Sequence, residues 1–243
     1  MAMLYSFFVC GKMVTVRSSS MLEEIKRHVM DVAKRAQDEG MCKHKSGNFS
    51  QRDPETGYIV VTPSGVDRKD LQVRDMVVMD LDGNVIENPT GLKPTSEAMM
   101  HIVIYKERPD VMAVAHTHSM YATTFAVLNK PVPAVVYEMF NLNAKKGRIP
   151  VAPYGRPGTK ELAESVVDCV HESDGFLLQA HGSVAVDEKD IEGAYLKVSY
   201  VEELSELYYH TLSVNGGKEP PVLPAEELQK WSYPKEIHFQ KEK

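Results

Sequence analysis

VMAVAHTHS, residues 111–119, is an apolar run that ends in two histidines and then changes character. Val111 to His116 has the length and composition of a buried strand, and Pro109 just before it stops the helix expected from about Ser96. A further helix is expected from about Ser119. A strand flanked by helices is the repeating pattern of an α/β chain arranged in layers around one sheet. In an extended chain, residues two apart project from the same face. His116 and His118 can therefore reach one ion at about 2.0 to 2.1 Å. Taken alone, the pair also fits two surface histidines in a loop.

The same interleaving continues on both sides. Upstream, Leu22, Ile25, Val29, Val32 and Ala33 share one helical face, with Gly40 as the stop and Ser20 and Glu23 spaced for a capping box. Strands are expected at Tyr58–Thr62 and Met76–Asp80, the second followed by an Asp82-Gly83 turn. Downstream, strands are expected at Ala134–Tyr137, Ile149–Ala152, Phe176–Ala180 and Val184–Val186. Glu161–His171 reads as a helix. The longest helix should run from about Glu188 to Leu212, burying Ile191, Ala194, Val198, Val201, Leu204 and Tyr208. No repeat or low-complexity linker divides the chain. Residues 21–243 read as one domain with a tail from about 213. Residues 1–20 read as an N-terminal extension, either an added strand or a segment ahead of a start at Met21.

A second histidine signal lies at Gln179-Ala180-His181-Gly182, which ends another apolar strand. Gly182 would allow a sharp turn there. Three histidines at strand ends fit an open zinc site with the fourth position left for substrate. The other histidines, at 28, 44, 101, 171, 210 and 238, lie in helical or polar contexts and read as surface or packing residues. Lys93-Pro94-Thr95-Ser96-Glu97 sits at an expected helix start, where free N–H groups and the helix dipole favour an anion. The same residues also describe ordinary capping. Ser46-Gly47-Asn48-Phe49-Ser50 and Thr62-Pro63-Ser64-Gly65 are Gly- and Ser-bearing turns that backbone could use to approach a phosphate closely. Each alone is equally a plain turn.

Bulk properties narrow the partners. The chain has 243 residues, with 34 acidic against 28 basic, giving a net charge of -6 and no Lys/Arg cluster able to neutralise a run of phosphates. No nucleic-acid partner is expected. Cys10, Cys42 and Cys169 are far apart and form no CxxC pair, which favours a reducing, cytoplasmic setting over a disulfide framework. Met3–Cys10 is apolar but lacks the flanks of a secretion signal, and no apolar stretch is long enough for a membrane span.

The ordered set SGNFS, TPSG, PTSE, HTHS, APYGRPGT and LLQAHG, spread over about Leu22 to Leu212, resembles the class II aldolase/adducin family. The resemblance implies a three-layer α/β/α sandwich around a mainly antiparallel or mixed sheet. It also implies a homotetramer with active sites between subunits. Carried over by motif, His116, His118 and His181 would bind zinc. Glu97 would be the acid/base and could occupy the metal's fourth position. Asn48, Ser64, Gly65, Thr95 and Ser96 would hold the phosphate of a sugar phosphate, and Tyr137 and Tyr233 would act across subunits.

Family members differ in reaction. They include aldolases, a ribulose-phosphate 4-epimerase, a methylthioribulose-phosphate dehydratase and the non-catalytic adducin head. Glu97 matches the aldolases and the dehydratase, where the epimerases usually carry Asp, and Tyr137 matches the aldolases. The expected reaction is cleavage of a ketose 1-phosphate to dihydroxyacetone phosphate and a short aldehyde, with zinc stabilising the enediolate. The epimerase and dehydratase reactions stay open as alternatives, as does a non-catalytic structural module like the adducin head. One departure stands out: many members have a second histidine where this chain has Ala180.

Overall fold

The computed structural model describes the backbone of residues 5–9, 12–16 and 19–230, and side chains from 22 to 230. β1 (Tyr5–Val9) and β2 (Lys12–Val16) form an antiparallel hairpin whose strands, among the described residues, pair only with each other. The first helix, α1 (Ser19–Asp38), already contains Ser20, so Ser20 lies inside the helix and is not its cap. Gly40 follows in the left-handed region, as a helix stop requires.

The chain then alternates strand and helix. β3 (Asn48–Arg52), β4 (Ile59–Val61), β5 (Val77–Met79) and β6 (Val85–Glu87) precede α2 (Ala98–Glu107), β7 (Ala113–Thr117) and α3 (Met120–Val127). After β8 (Val132–Pro133), β9 (Arg148–Ile149) and β10 (Val151–Ala152) come α4 (Lys160–Ser165) and α5 (Val167–Glu172). β11 (Gly175–Leu178), β12 (Gly182–Asp187), α6 (Ile191–Val214) and α7 (Ala225–Gln229) complete the described residues. Eight strands form one sheet in the order β10-β11-β12-β7-β3-β4-β5-β6, antiparallel except at the β10–β11 edge.

Side chains alternate across this sheet and build a core on each face. On one face Ile59, Val61, Val114, Phe176 and Val184 meet α2, α4 and α5 through Met100, Ile104, Leu162 and Val170. On the other, Phe49, Val60, Val78, Ala115 and Ala185 meet α1 and α6 through Val29, Val32, Ala33, Ile191 and Val198. The result is the three-layer α/β/α sandwich with a mixed, mainly antiparallel sheet. All the α6 residues expected to face the core are buried. Asp190 caps that helix by accepting from Gly193 N at 2.9 Å.

Four local expectations are corrected. Ala134–Tyr137 is not a strand: β8 ends at Pro133, and the chain turns into a 3-10 segment at Tyr137–Leu142. Ile149–Ala152 is split at Pro150, whose missing N–H cannot continue a ladder. β9 pairs with β8 on one side of that proline, and β10 with β11 on the other. The helix expected over Glu161–His171 breaks at Val166 into α4 and α5. Finally, the Ser46–Ser50 turn is half strand, since β3 begins at Asn48. The tail also folds back: Leu223 N donates to Ala134 O at 2.8 Å, and Leu228 is buried.

Cys42 and Cys169 are free and buried. Among the described residues, no helix is long and apolar enough to cross a membrane.

Candidate functional site

The site forms where the ends of β7, β12 and β3 meet the start of α2. β7 lies between β3 and β12, with His116 opposite Asn48 on one side and Val184 on the other. His118 follows the strand by one residue, and its N–H donates to Met41 O at 3.1 Å. His181 lies in the turn between β11 and β12, closed by its own N–H donating to Leu178 O at 3.0 Å. The three imidazole rings stand 4.7, 4.8 and 4.9 Å apart, centre to centre.

The residues that shape this turn differ in part from the sequence reading. Ala180 takes the left-handed conformation, with φ of 56°, whereas Gly182 does not. Gly182 is required for space: a Cβ there would stand 2.4 Å from Thr117 O and 3.2 Å from the His118 ring. Ala180, the departure from the family pattern, is exposed, and its N–H donates to Ala126 O at 3.0 Å.

Glu97 is buried at the N-cap of α2, yet its side chain makes no capping bond. It turns toward the histidines instead. Oε2 lies 3.2 Å from His116 Nε2, and Oε1 lies 3.2 Å from His181 Nε2. The amide of Asn48 donates to Oε2 at 2.7 Å.

These donors fit a cation. His116 Nδ1 is 2.9 Å from Ser183 O, and a carbonyl only accepts, so Nδ1 carries the hydrogen and Nε2 a lone pair. That lone pair faces His118 Nε2 at 3.0 Å and a carboxylate oxygen at 3.2 Å, an arrangement that calls for positive charge between them. Burial lowers the proton affinity of all three rings, taking His118 down to about 4 and His116 well below the ordinary range. Neutral imidazoles are the form that ligates a metal. His181 Nδ1 is buried and has no hydrogen-bond partner among the described residues. The ligand atoms of His116, His118 and His181 all lie within 4.8 Å of one another.

Beside this cluster opens a cavity of about 260 Å³. Asn48, Ser64, Gly65, Thr95 and Ser96 all line it, so the structure brings together the whole set singled out for the phosphate. The two turns that carry them are stitched together: Ser64 N donates to Lys93 O at 2.8 Å, and Thr95 N to Thr62 O at 3.0 Å. Tyr137 does not line this cavity within the chain. It is half exposed and stacks on Phe140. Tyr233 lies outside the described residues.

Three contributors were not singled out from sequence. Arg68 is buried against the cavity, its guanidinium donating to the carbonyls of Lys45, Gly47, Pro63 and Val66. It ties the two Gly/Ser turns together. Lys45 adds positive charge to the lining. His101, read as a packing residue, is bonded to Asn48. Its position one helical turn after Glu97 was the available signal.

Residues 27–209 match the class II aldolase and adducin N-terminal domain, and the chain belongs to that family. It is 34% identical over 210 residues to the 5-deoxy-D-ribulose 1-phosphate aldolase of Bacillus thuringiensis serovar kurstaki, a match covering 86% of this chain and 94% of that one. It is 40% identical over 163 residues to an L-fuculose phosphate aldolase of Methanococcus maripaludis, covering 67% and 84% respectively. A solved L-fuculose 1-phosphate aldolase aligns with a TM-score of 0.78 at 34% identity, covering 87% of this chain and 94% of that one. Family and relatives together make the chain an enzyme of the class II, metal-dependent aldolase type.

Proposed function

We propose that this chain is a zinc-dependent aldolase that reversibly cleaves a ketose 1-phosphate to dihydroxyacetone phosphate and a short aldehyde. The substrate would be of the L-fuculose 1-phosphate or 5-deoxypentulose 1-phosphate kind. The observation that carries the reading is the convergence of three neutral imidazoles and the Glu97 carboxylate beside a cavity rimmed by Gly- and Ser-bearing turns.

His116, His118 and His181 would hold the zinc, with Glu97 close enough to share it before substrate arrives. When bound, the ion supplies Lewis acidity toward the substrate carbonyl, which favours electron density on the neighbouring carbon. Ser64, Gly65, Thr95, Ser96 and Asn48 would bind the phosphate, and Arg68 and Lys45 add charge of the right sign. In the cleavage direction the hydroxyl proton on C4 leaves, the C3–C4 bond breaks and its electron pair passes toward C2. Glu97 then delivers a proton to C3, and in synthesis it removes that proton. Tyr137 and Tyr233, from neighbouring subunits of a homotetramer, would exchange the proton on the aldehyde oxygen.

The test is a metal assay combined with dihydroxyacetone phosphate release from a panel of ketose 1-phosphates. Near-stoichiometric zinc together with release from at least one deoxyketose 1-phosphate is expected. Epimerisation or dehydration of the panel without C–C cleavage would overturn the aldolase reading.

A further inference from the structure

Behind Glu97 a line of polar side chains runs through the layer between the sheet and α2. Asn48 and Ser50 are two apart on β3 and project from one face toward α2. His101 and Tyr105 are four apart on α2 and share the helical face turned toward them. All are buried, as is Glu97. The contacts are continuous. Tyr105 OH is 2.8 Å from Ser50 Oγ, and Ser50 Oγ is 2.7 Å from His101 Nδ1. His101 Nε2 is 2.5 Å from Asn48 Oδ1, and Asn48 Nδ2 is 2.7 Å from Glu97 Oε2.

The direction of every hydrogen bond follows from what each atom can do. A carboxylate accepts, so the Asn48 amide nitrogen faces Glu97 and its oxygen faces His101. An amide oxygen also only accepts, so His101 Nε2 must carry the hydrogen. His101 is fully buried and, among the described residues, its ring nitrogens bond only the neutral side chains of Asn48 and Ser50, so the ring is neutral and Nδ1 is a bare acceptor. Ser50 must then donate to Nδ1, and Tyr105 to Ser50. Four donors point the same way and the last acceptor is the Glu97 carboxylate.

We propose that His101 is a positioning residue: through Asn48 it holds the Glu97 carboxylate at the angle from which it meets substrate. Turning the Asn48 amide over would aim its oxygen at a carboxylate oxygen and its nitrogen at the His101 N–H, losing two hydrogen bonds at once. The histidine thus locks the amide, and the amide locks the carboxylate. One of the two amide hydrogens of Asn48 is committed to this role, leaving the other for the phosphate. The inference rests on Glu97 as the proton carrier of the aldolase reading.

Two readouts test it. In protein labelled with ¹⁵N-histidine at about pH 7, long-range ¹H–¹⁵N correlations should show His101 as the Nε2–H tautomer. The missing signal in a His101 variant assigns it. An Nδ1–H tautomer would mean that the chain runs the other way, and the proposal would fall whether or not any panel substrate turns over.

The second readout is kinetic. His101→Phe keeps the ring volume but removes both nitrogens, and should lower kcat by about 10- to 100-fold with KM and bound zinc near parent levels. His101→Gln, which regains an N–H for Asn48, should recover part of that loss. A rise in KM with kcat intact would place Asn48 with the phosphate alone and overturn the proposal, as would full activity in His101→Phe. Absence of turnover in the parent, with the expected tautomer present, would instead count against the aldolase reading alone.

Discussion

Glu97 shows how a single side chain separates stability from chemistry. At a helix N-cap a carboxylate ordinarily contributes about 0.3 to 1 kcal/mol through the helix dipole, but this one makes no capping bond and lies 3.2 Å from two histidines. Glu97→Gln keeps size and shape while removing the proton acceptor. Turnover should fall by about 10² or more with zinc retained, measured by steady-state kinetics and metal analysis on the same sample. His116→Ala has the opposite signature. It removes a buried candidate ligand, so metal and activity should disappear together, and a variant with full metal content would remove His116 from the proposed ligand set. The buried rings also set an acid limit. His101 drops from its ordinary value of 6.5 to about 3 in the folded chain. The unfolded chain therefore takes up a proton that the folded chain refuses, so stability is present above about 6.5 and declines as pH falls toward 3. The urea midpoint of the metal-free parent should fall from about pH 7 to about pH 4 more steeply than that of His101→Phe, and parallel curves would contradict the assignment.

At the scale of elements, the site depends on how closely two strand ends approach. β12 starts at Gly182, directly against the carbonyl of Thr117 on β7. A methyl group at position 182 would meet backbone at 2.4 Å, which no side-chain rotation relieves. Gly182→Ala should cost about 1 to 3 kcal/mol of stability and displace His181. Thermal unfolding and zinc affinity should both register it, and an unchanged zinc affinity would show that the turn has room to adjust. Two residues earlier in the same turn, Ala180 is exposed and held in the left-handed conformation at a cost of about 1 to 2 kcal/mol. Proline has the corresponding effect at Pro150, where one expected strand became two short ones with different partners.

For the whole molecule, the placement of Tyr137 sets a condition on its role. It is 49% exposed and does not line the cavity of its own chain, so a part in catalysis requires a neighbouring copy. The resemblance to the family, and not this placement, is what leads us to propose a homotetramer, with a light-scattering mass about four times the 27.2 kDa chain. Active protein at the mass of a single chain would exclude any role for Tyr137 across subunits.

The sequence by itself determined the α/β class and marked three strand-end histidines and the Gly- and Ser-bearing turns as candidates, because these are local signals, whereas the role proposed for Glu97 came from the resemblance to a family. Strand-end histidines, Gly/Ser turns and helix periodicity need only neighbours along the chain. The tertiary structure decided what those residues touch. Asn48 looked like part of a turn because β3 is polar on the face that meets α2, and only its register opposite His116 places it against Glu97. Arg68 carried no motif of its own, and His101 only its spacing one helical turn after Glu97. Their partners are contributed by other elements, and contacts between elements distant in sequence are set by strand register and helix docking, which no local pattern records.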